Sequence, residues 1–108
     1  MIIILYILII PFFSFGQKIF SVEYSSQADV KVYVVNYESQ ADLSVYKAEY
    51  SSQTSGNHGH WNFVDYASQA DKKIYFVDYA SQADLKIFFV KYVSQSGWKN
   101  NSKKHLFF

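Results

Sequence analysis

The sequence predicts an all-β protein built from short strands, and three observations carry that reading. Tyr-x-Ser-Gln occurs six times, with the Ser-Gln pairs at 26–27, 39–40, 52–53, 68–69, 81–82 and 94–95, spaced by 13, 13, 16, 13 and 13 residues. The runs between them, at 18–24, 31–37, 44–50, 61–66, 73–79 and 86–92, are rich in Val, Ile, Tyr and Phe and hold neither Pro nor Gly. They alternate with period two, which is the period of a strand and not of a helix. Finally, a 13-residue unit has room for one strand and one tight connection, but none for a crossover helix.

The chain opens on a different pattern. Residues 1–16, "MIIILYILIIPFFSFG", carry no charged side chain, and Ile2–Phe13 is an apolar run of the length of a signal-peptide core. Pro11 interrupts it, and it is short for a spanning helix, which wants ~18 or more apolar residues. Small residues at Ser14 and Gly16 fit a cleavage site before Gln17. The expectation is a signal peptide at 1–16, export to the periplasm or extracellular space, and a single domain over 17–108. Its n-region lacks Lys and Arg, so an uncut anchor through residues 2–13 is the competing reading, and a buried core strand a third.

The remaining elements follow in order. Ala-Asp completes the motif in four copies (Ala28-Asp29, Ala41-Asp42, Ala70-Asp71, Ala83-Asp84) and is absent from the third and sixth, which end "SSQTSG" and "VSQSGW". The 16-residue gap falls after the third copy. The chain therefore divides into two similar halves, about 17–56 and 61–98, joined by a loop at 55–60. On each strand one face is regular: Phe20-Val22-Tyr24, Tyr33-Val35-Tyr37, Tyr46-Ala48-Tyr50, Tyr75-Val77-Tyr79, Phe88-Val90-Tyr92. The other face runs from apolar to polar, as in Val32-Val34-Asn36 and Ile74-Phe76-Asp78. The regular aromatic face is expected in the core, and the simplest architectures are a meander of hairpins or a narrow two-sided solenoid. Exposed aromatic strand edges could also pair between chains.

The repeated Ser and Gln residues are Ser26, Gln27, Ser39, Gln40, Ser52, Gln53, Ser68, Gln69, Ser81, Gln82, Ser94 and Gln95. A catalytic constellation is single and asymmetric, so six near-identical copies point to a structural demand made six times. Ser and Asp side chains suit bends, and Gln amides are expected to be buried against backbone that leaves the ladder. A repeated ligand contact is the alternative.

The unit Tyr-x-Ser-Gln-Ala-Asp-x-Lys-Val/Ile-Tyr, seen in "YSSQADVKVYVVNYESQAD" at 24–42 and closing in "SQSGWKN", resembles the 7(1) septoil knot domain family of small bacterial proteins. The resemblance covers about 18–105. It implies a compact β fold with a deeply knotted backbone, and it supplies no catalytic residue. Residue periodicity alone is equally compatible with an unknotted pseudo-symmetric sheet, the commoner case among folds.

Charge and composition exclude some functions. A net charge of +1 gives no electrostatic case for nucleic acid. With no cysteine, disulfides, thiol nucleophiles and Cys-ligated zinc are ruled out. Phosphate-binding Gly loops, Gly-x-Ser-x-Gly and His-Glu-x-x-His are missing. "SGNHGHWNF" at 55–63 breaks the repeat, and His58 and His60, with His105, are weak candidates for a metal site. A Gly-rich connection with exposed histidines is the plainer reading. Trp61 and Trp98 suit packing more than a binding anchor. The tail "WKNNSKKHLFF" reads as a solvated basic stretch before a short strand, with apolar last residues fit to dock on the body. Glu23, Glu49, Asp65 and Asp78 form one solvated face and not an acid–base pair. The expected protein is non-enzymatic and cofactor-free, a stable structural or interaction protein of the envelope or secreted space. Its partner would be an envelope protein or glycan, with membrane contact only if the leader is uncut. A metal-binding protein or enzyme using the His58/His60 loop is the alternative, and a secreted effector is a third.

Overall fold

The computed structural model describes residues 17–50 and 56–107. Residues 1–16, where a signal peptide is expected, and the third Ser-Gln pair, Ser52-Gln53, lie outside the described residues. The strands are β1 (Gln17–Ser21), β2 (Val30–Val34), β3 (Leu43–Lys47), β4 (His60–Phe63), β5 (Lys72–Phe76), β6 (Leu85–Val90) and the two-residue β7 (Gly97–Trp98). Each of the first six begins close to where the alternating pattern begins. Each stops short of the Tyr that the pattern included, and after β1, β2, β4, β5 and β6 the chain bends there into a 3-10 turn.

The strands form one sheet in the order β4-β1-β5-β2-β6-β3-β7, and β4 also pairs with β3, which closes a six-stranded barrel. All barrel pairings are parallel, and β7 alone is antiparallel, along Leu43 and Ser44 of β3. A hairpin meander and a two-sided solenoid are therefore both incorrect. Strands from the two halves alternate round the barrel, so no barrel strand lies beside a sequence-adjacent strand of its own half.

Register explains how such short connections join parallel strands. Ser21 at the end of β1 and Val30 at the start of β2 both pair with Ile74 of β5. Val34 and Leu43 share Ile87 of β6 in the same way. The chain does not return to the starting end of the sheet, as an ordinary parallel crossover must. It turns, steps over one strand of the other half, and carries on forward. Both edges of every barrel strand are occupied, which removes the edge-to-edge pairing expected from exposed strands.

The barrel interior is aliphatic apart from the Trp61 indole and, at one end, Phe107. Ile19, Val32, Val45, Trp61, Ile74 and Ile87 supply one fully buried side chain from each strand, all at 0% exposure. Val30, Leu43 and Leu85 extend this core. The expectation that the regular aromatic face points inward is overturned. Tyr24, Tyr37, Tyr50, Tyr66, Tyr79 and Tyr92 are 60–68% exposed, while Phe20, Tyr33, Tyr46, Tyr75 and Phe88 are half-buried on the outside. Only the middle members of that face in the first half, Val22, Val35 and Ala48, are buried. The physical reason is width. The lumen of a six-stranded barrel holds branched aliphatic chains but cannot take a phenol from every strand.

Thermal or denaturant unfolding checks this assignment. Ile87→Ala is expected to cost about 2–5 kcal/mol, whereas Tyr79→Ala is expected to stay within about 0.5 kcal/mol of the parent.

Candidate functional site

The repeated motif builds two devices, and they use different residues. The first is the turn. Residues Ser25–Gln27, Glu38–Gln40, Ala67–Gln69, Ala80–Gln82 and Val93–Gln95 each form one 3-10 turn entered from an extended Tyr. It closes through backbone alone: the Gln N–H donates to the Tyr carbonyl at 3.0 Å in each of these copies. The following Ala or Ser N–H donates back at 3.1–3.2 Å.

The second device is the Asp. It does not serve its own turn, as sequence reasoning had it, but grips the opposite half of the chain. Asp29 donates its N–H to the Lys73 carbonyl at 2.8 Å and accepts the Lys73 N–H on Oδ2 at 2.9 Å. Asp42 holds Lys86 in the same way, Asp71 holds Lys18, and Asp84 holds Lys31. Each clamp sits one residue ahead of the first pair of a ladder: Val30↔Ile74, Leu43↔Ile87, Ile19↔Lys72 and Val32↔Leu85. At that point the chain carrying the Asp has just left its turn, and its carboxylate takes the lysine N–H that the ladder has not yet engaged. These bonds lie at the exposed end of each ladder, where a charged acceptor on a backbone N–H makes a stronger bond than a neutral one. Asp42 does more, since its carbonyl accepts the N–H groups of Lys99 and Asn100. The two copies without Asp lead into the exceptional elements, the loop before β4 and the antiparallel β7.

The expectation that the Gln amides are buried and bonded to backbone is incorrect. Gln27, Gln40, Gln69, Gln82 and Gln95 are all exposed. Only Gln95 folds back, its Oε1 accepting the Tyr92 N–H at 3.1 Å. Backbone closes these turns, so nothing in the fold requires the amide to be inside. Ser26, Ser39, Ser68, Ser81 and Ser94 are exposed as well.

One end of the barrel is sealed by the loop at 56–59 and the tail. Asn101–Phe107 is a 3-10 segment and not the expected short strand. Phe107 is buried with its ring 5.0 Å from that of Trp61. Gln17 Nε2 donates to the Phe107 carbonyl at 2.8 Å, Asn57 Nδ2 donates to the Lys104 carbonyl at 2.9 Å, and the Trp98 indole N–H donates to the Asn57 carbonyl at 2.9 Å. Both tryptophans thus serve packing at this end. Gly59 has a φ of +81°, and a Cβ there would collide with the Ser44 carbonyl oxygen. Only glycine suits this position.

His58 and His60 lie side by side with ring centroids 6.5 Å apart. His60 is held below its ordinary pKa by burial and by the neighbouring His58. His105 sits in the tail, its Nδ1 2.9 Å from the Ser102 carbonyl. Among the described residues, no three His, Cys, Asp or Glu side chains come together as a metal-binding group. Glu23, Glu49, Asp65 and Asp78 are all exposed. No helix among the described residues is long and apolar enough to cross a membrane.

These features define a class: a small strand-dominated protein whose repeated motif is spent on turns and on clamps between interleaved strands. The family described as the 7(1) septoil knot domain matches residues 16–99, and the chain belongs to that family. The function of that family is uncharacterised. No curated protein and no solved structure matches the chain.

The clamp makes a distinguishing prediction. Asp29→Ala leaves the Lys73 N–H without its carboxylate, and the expected loss is roughly 1 kcal/mol in an unfolding titration. Asp29→Asn keeps an acceptor and is expected to lose less. Equal losses for the two would assign the effect to charge and not to the hydrogen bond.

Proposed function

We propose that the protein is a non-enzymatic, persistent interaction protein of the cell envelope or secreted space, and that its backbone is knotted. The observation that carries this reading is the interleaving of the two halves in a closed barrel. A chain that threads its second half between the strands of its first, in a family named for a knot, is placed to trap one half within the other. Opening such a body demands that many ladders break together. Persistence of that kind suits a compartment without ATP-driven refolding, in a chain that has no cysteine for disulfides. The apolar leader pattern at 1–16 supports export, and the repeated motif supports a body built for presentation and not for turnover.

Cell fractionation of the full chain, with the N-terminus read by mass spectrometry, tests the location. The expected result is an exported product beginning near Gln17, and retention in the cytoplasm with residues 1–16 intact would contradict it. Mechanical stretching of the same product tests the knot. A knotted chain extends to less than the ~3.3–3.6 Å per residue of a free one, and full extension would remove the knot.

A further inference from the structure

Three surface grooves on the barrel are copies of one another. The first, about 320 Å³, is lined by Phe20, Val22, Gln27, Ala67 and Lys73. The second, about 370 Å³, is lined by Tyr33, Val35, Asn36, Gln40, Ala80 and Lys86. The third, about 390 Å³, is lined by Tyr75, Val77, Asp78, Gln82, Ser25 and Lys31. Each takes an aromatic ring, a valine and a glutamine from one half of the chain, and a turn residue and a lysine from the other. The groove therefore exists only in the interleaved barrel.

The polar groups in these grooves are not used by the fold. Among the described residues, the side-chain amides of Gln27, Gln40 and Gln82 make no hydrogen bond, and the ammonium groups of Lys31, Lys73 and Lys86 make no ion pair. The turns at Gln27, Gln40 and Gln82 need only the Gln backbone, yet the sequence has Gln in all six copies. A side chain that is repeated without a structural task is available for a ligand. Strongly exposed Tyr24, Tyr66 and Tyr79 immediately precede the lining residues Ser25, Ala67 and Ala80.

We infer that these three grooves are binding sites for a polysaccharide of repeating hexose units. A hexose has apolar C–H faces that lie on an aromatic ring, and hydroxyls that both donate and accept. The Gln amide meets both hydroxyl roles, and the Lys ammonium adds a donor. Aromatic–amide–ammonium sites of this size suit a single sugar ring, with a few placed polar groups fixing orientation. Three equivalent sites on one rigid body match a ligand that presents the same unit many times, and avidity makes up for weak individual contacts. A net charge of +1, with Asp78 in one groove, gives no electrostatic case for nucleic acid. The inference rests on the reading of an exported interaction protein and supplies its ligand.

The test uses the product of the full chain against immobilised N-acetylglucosamine polymer, a neutral glucan, polygalacturonate and purified peptidoglycan. Binding to at least one is expected. The variant Gln27→Ala/Gln40→Ala/Gln82→Ala should bind at least tenfold more weakly at an unchanged melting temperature, with single variants falling in between. Lys31→Gln/Lys73→Gln/Lys86→Gln should show a loss of the same direction, largest on polygalacturonate. No binding to any of the four probes, full binding by the triple Gln variant, or capture of a polypeptide alone would overturn the inference. An exported product that binds none of them sinks this inference and leaves the reading of an exported protein intact; a cytoplasmic product that binds them does the reverse.

Discussion

The structure depends on a two-bond grip between an Asp and the backbone of a Lys in the other half of the chain. Four such grips stand at the starts of four ladders, and each spans 44 or 53 residues of sequence. They fix register at the point where a slip would be easiest. A slip of one residue would carry the whole alternating set of aliphatic side chains out of the lumen. The grip also commits the chain to its unusual order, because every Asp finds its lysine across the halves. The barrel is thus assembled from partners distant in sequence, a topology that pays its loop-closure cost before contacts can form.

From that order follows the division of labour among side chains. The lumen receives one or two aliphatic or indole groups from each strand, so most aromatic rings, glutamines and lysines are left on the outer wall. The two exceptional copies of the motif then have a clear task. Freed of Asp, they lead into the 56–59 loop and into β7, which together with the tail seal one end around Phe107, Trp61 and Trp98.

Much of this was legible in the residues, and what was missed has identifiable causes. Strand content, the six barrel strands and the five described turns follow from the period-two runs and the Ser-Gln spacing, whereas β7 and the 3-10 tail do not. The direction of pairing does not, because alternation is the same in parallel and antiparallel strands. The inward face differs from the one the sequence suggests because regularity is not the mark of a core. Regularity instead marks whatever is demanded at every repeat, and here that includes the turn entry and the outer wall. Asp was assigned to its own turn because sequence shows only local neighbours, whereas its partner is in the other half. The signal that could have found it is the recurrence of Lys two residues after Asp, as in Asp29-Val30-Lys31, Asp71-Lys72-Lys73 and Asp84-Leu85-Lys86. The exposure of Gln was hidden for a related reason: its backbone serves the fold, and its side chain does not.

Interleaving makes the two halves inseparable, and native-state hydrogen exchange measures that directly. The amides of Lys18, Val22, Lys31 and Val35 in the first half, and of Val64, Lys73, Val77 and Lys86 in the second, all donate across the halves. If neither half opens alone, these amides exchange with one common opening free energy equal to that of global unfolding. A set of amides from one half that exchanges earlier, as a unit, while the other half stays protected would contradict the account.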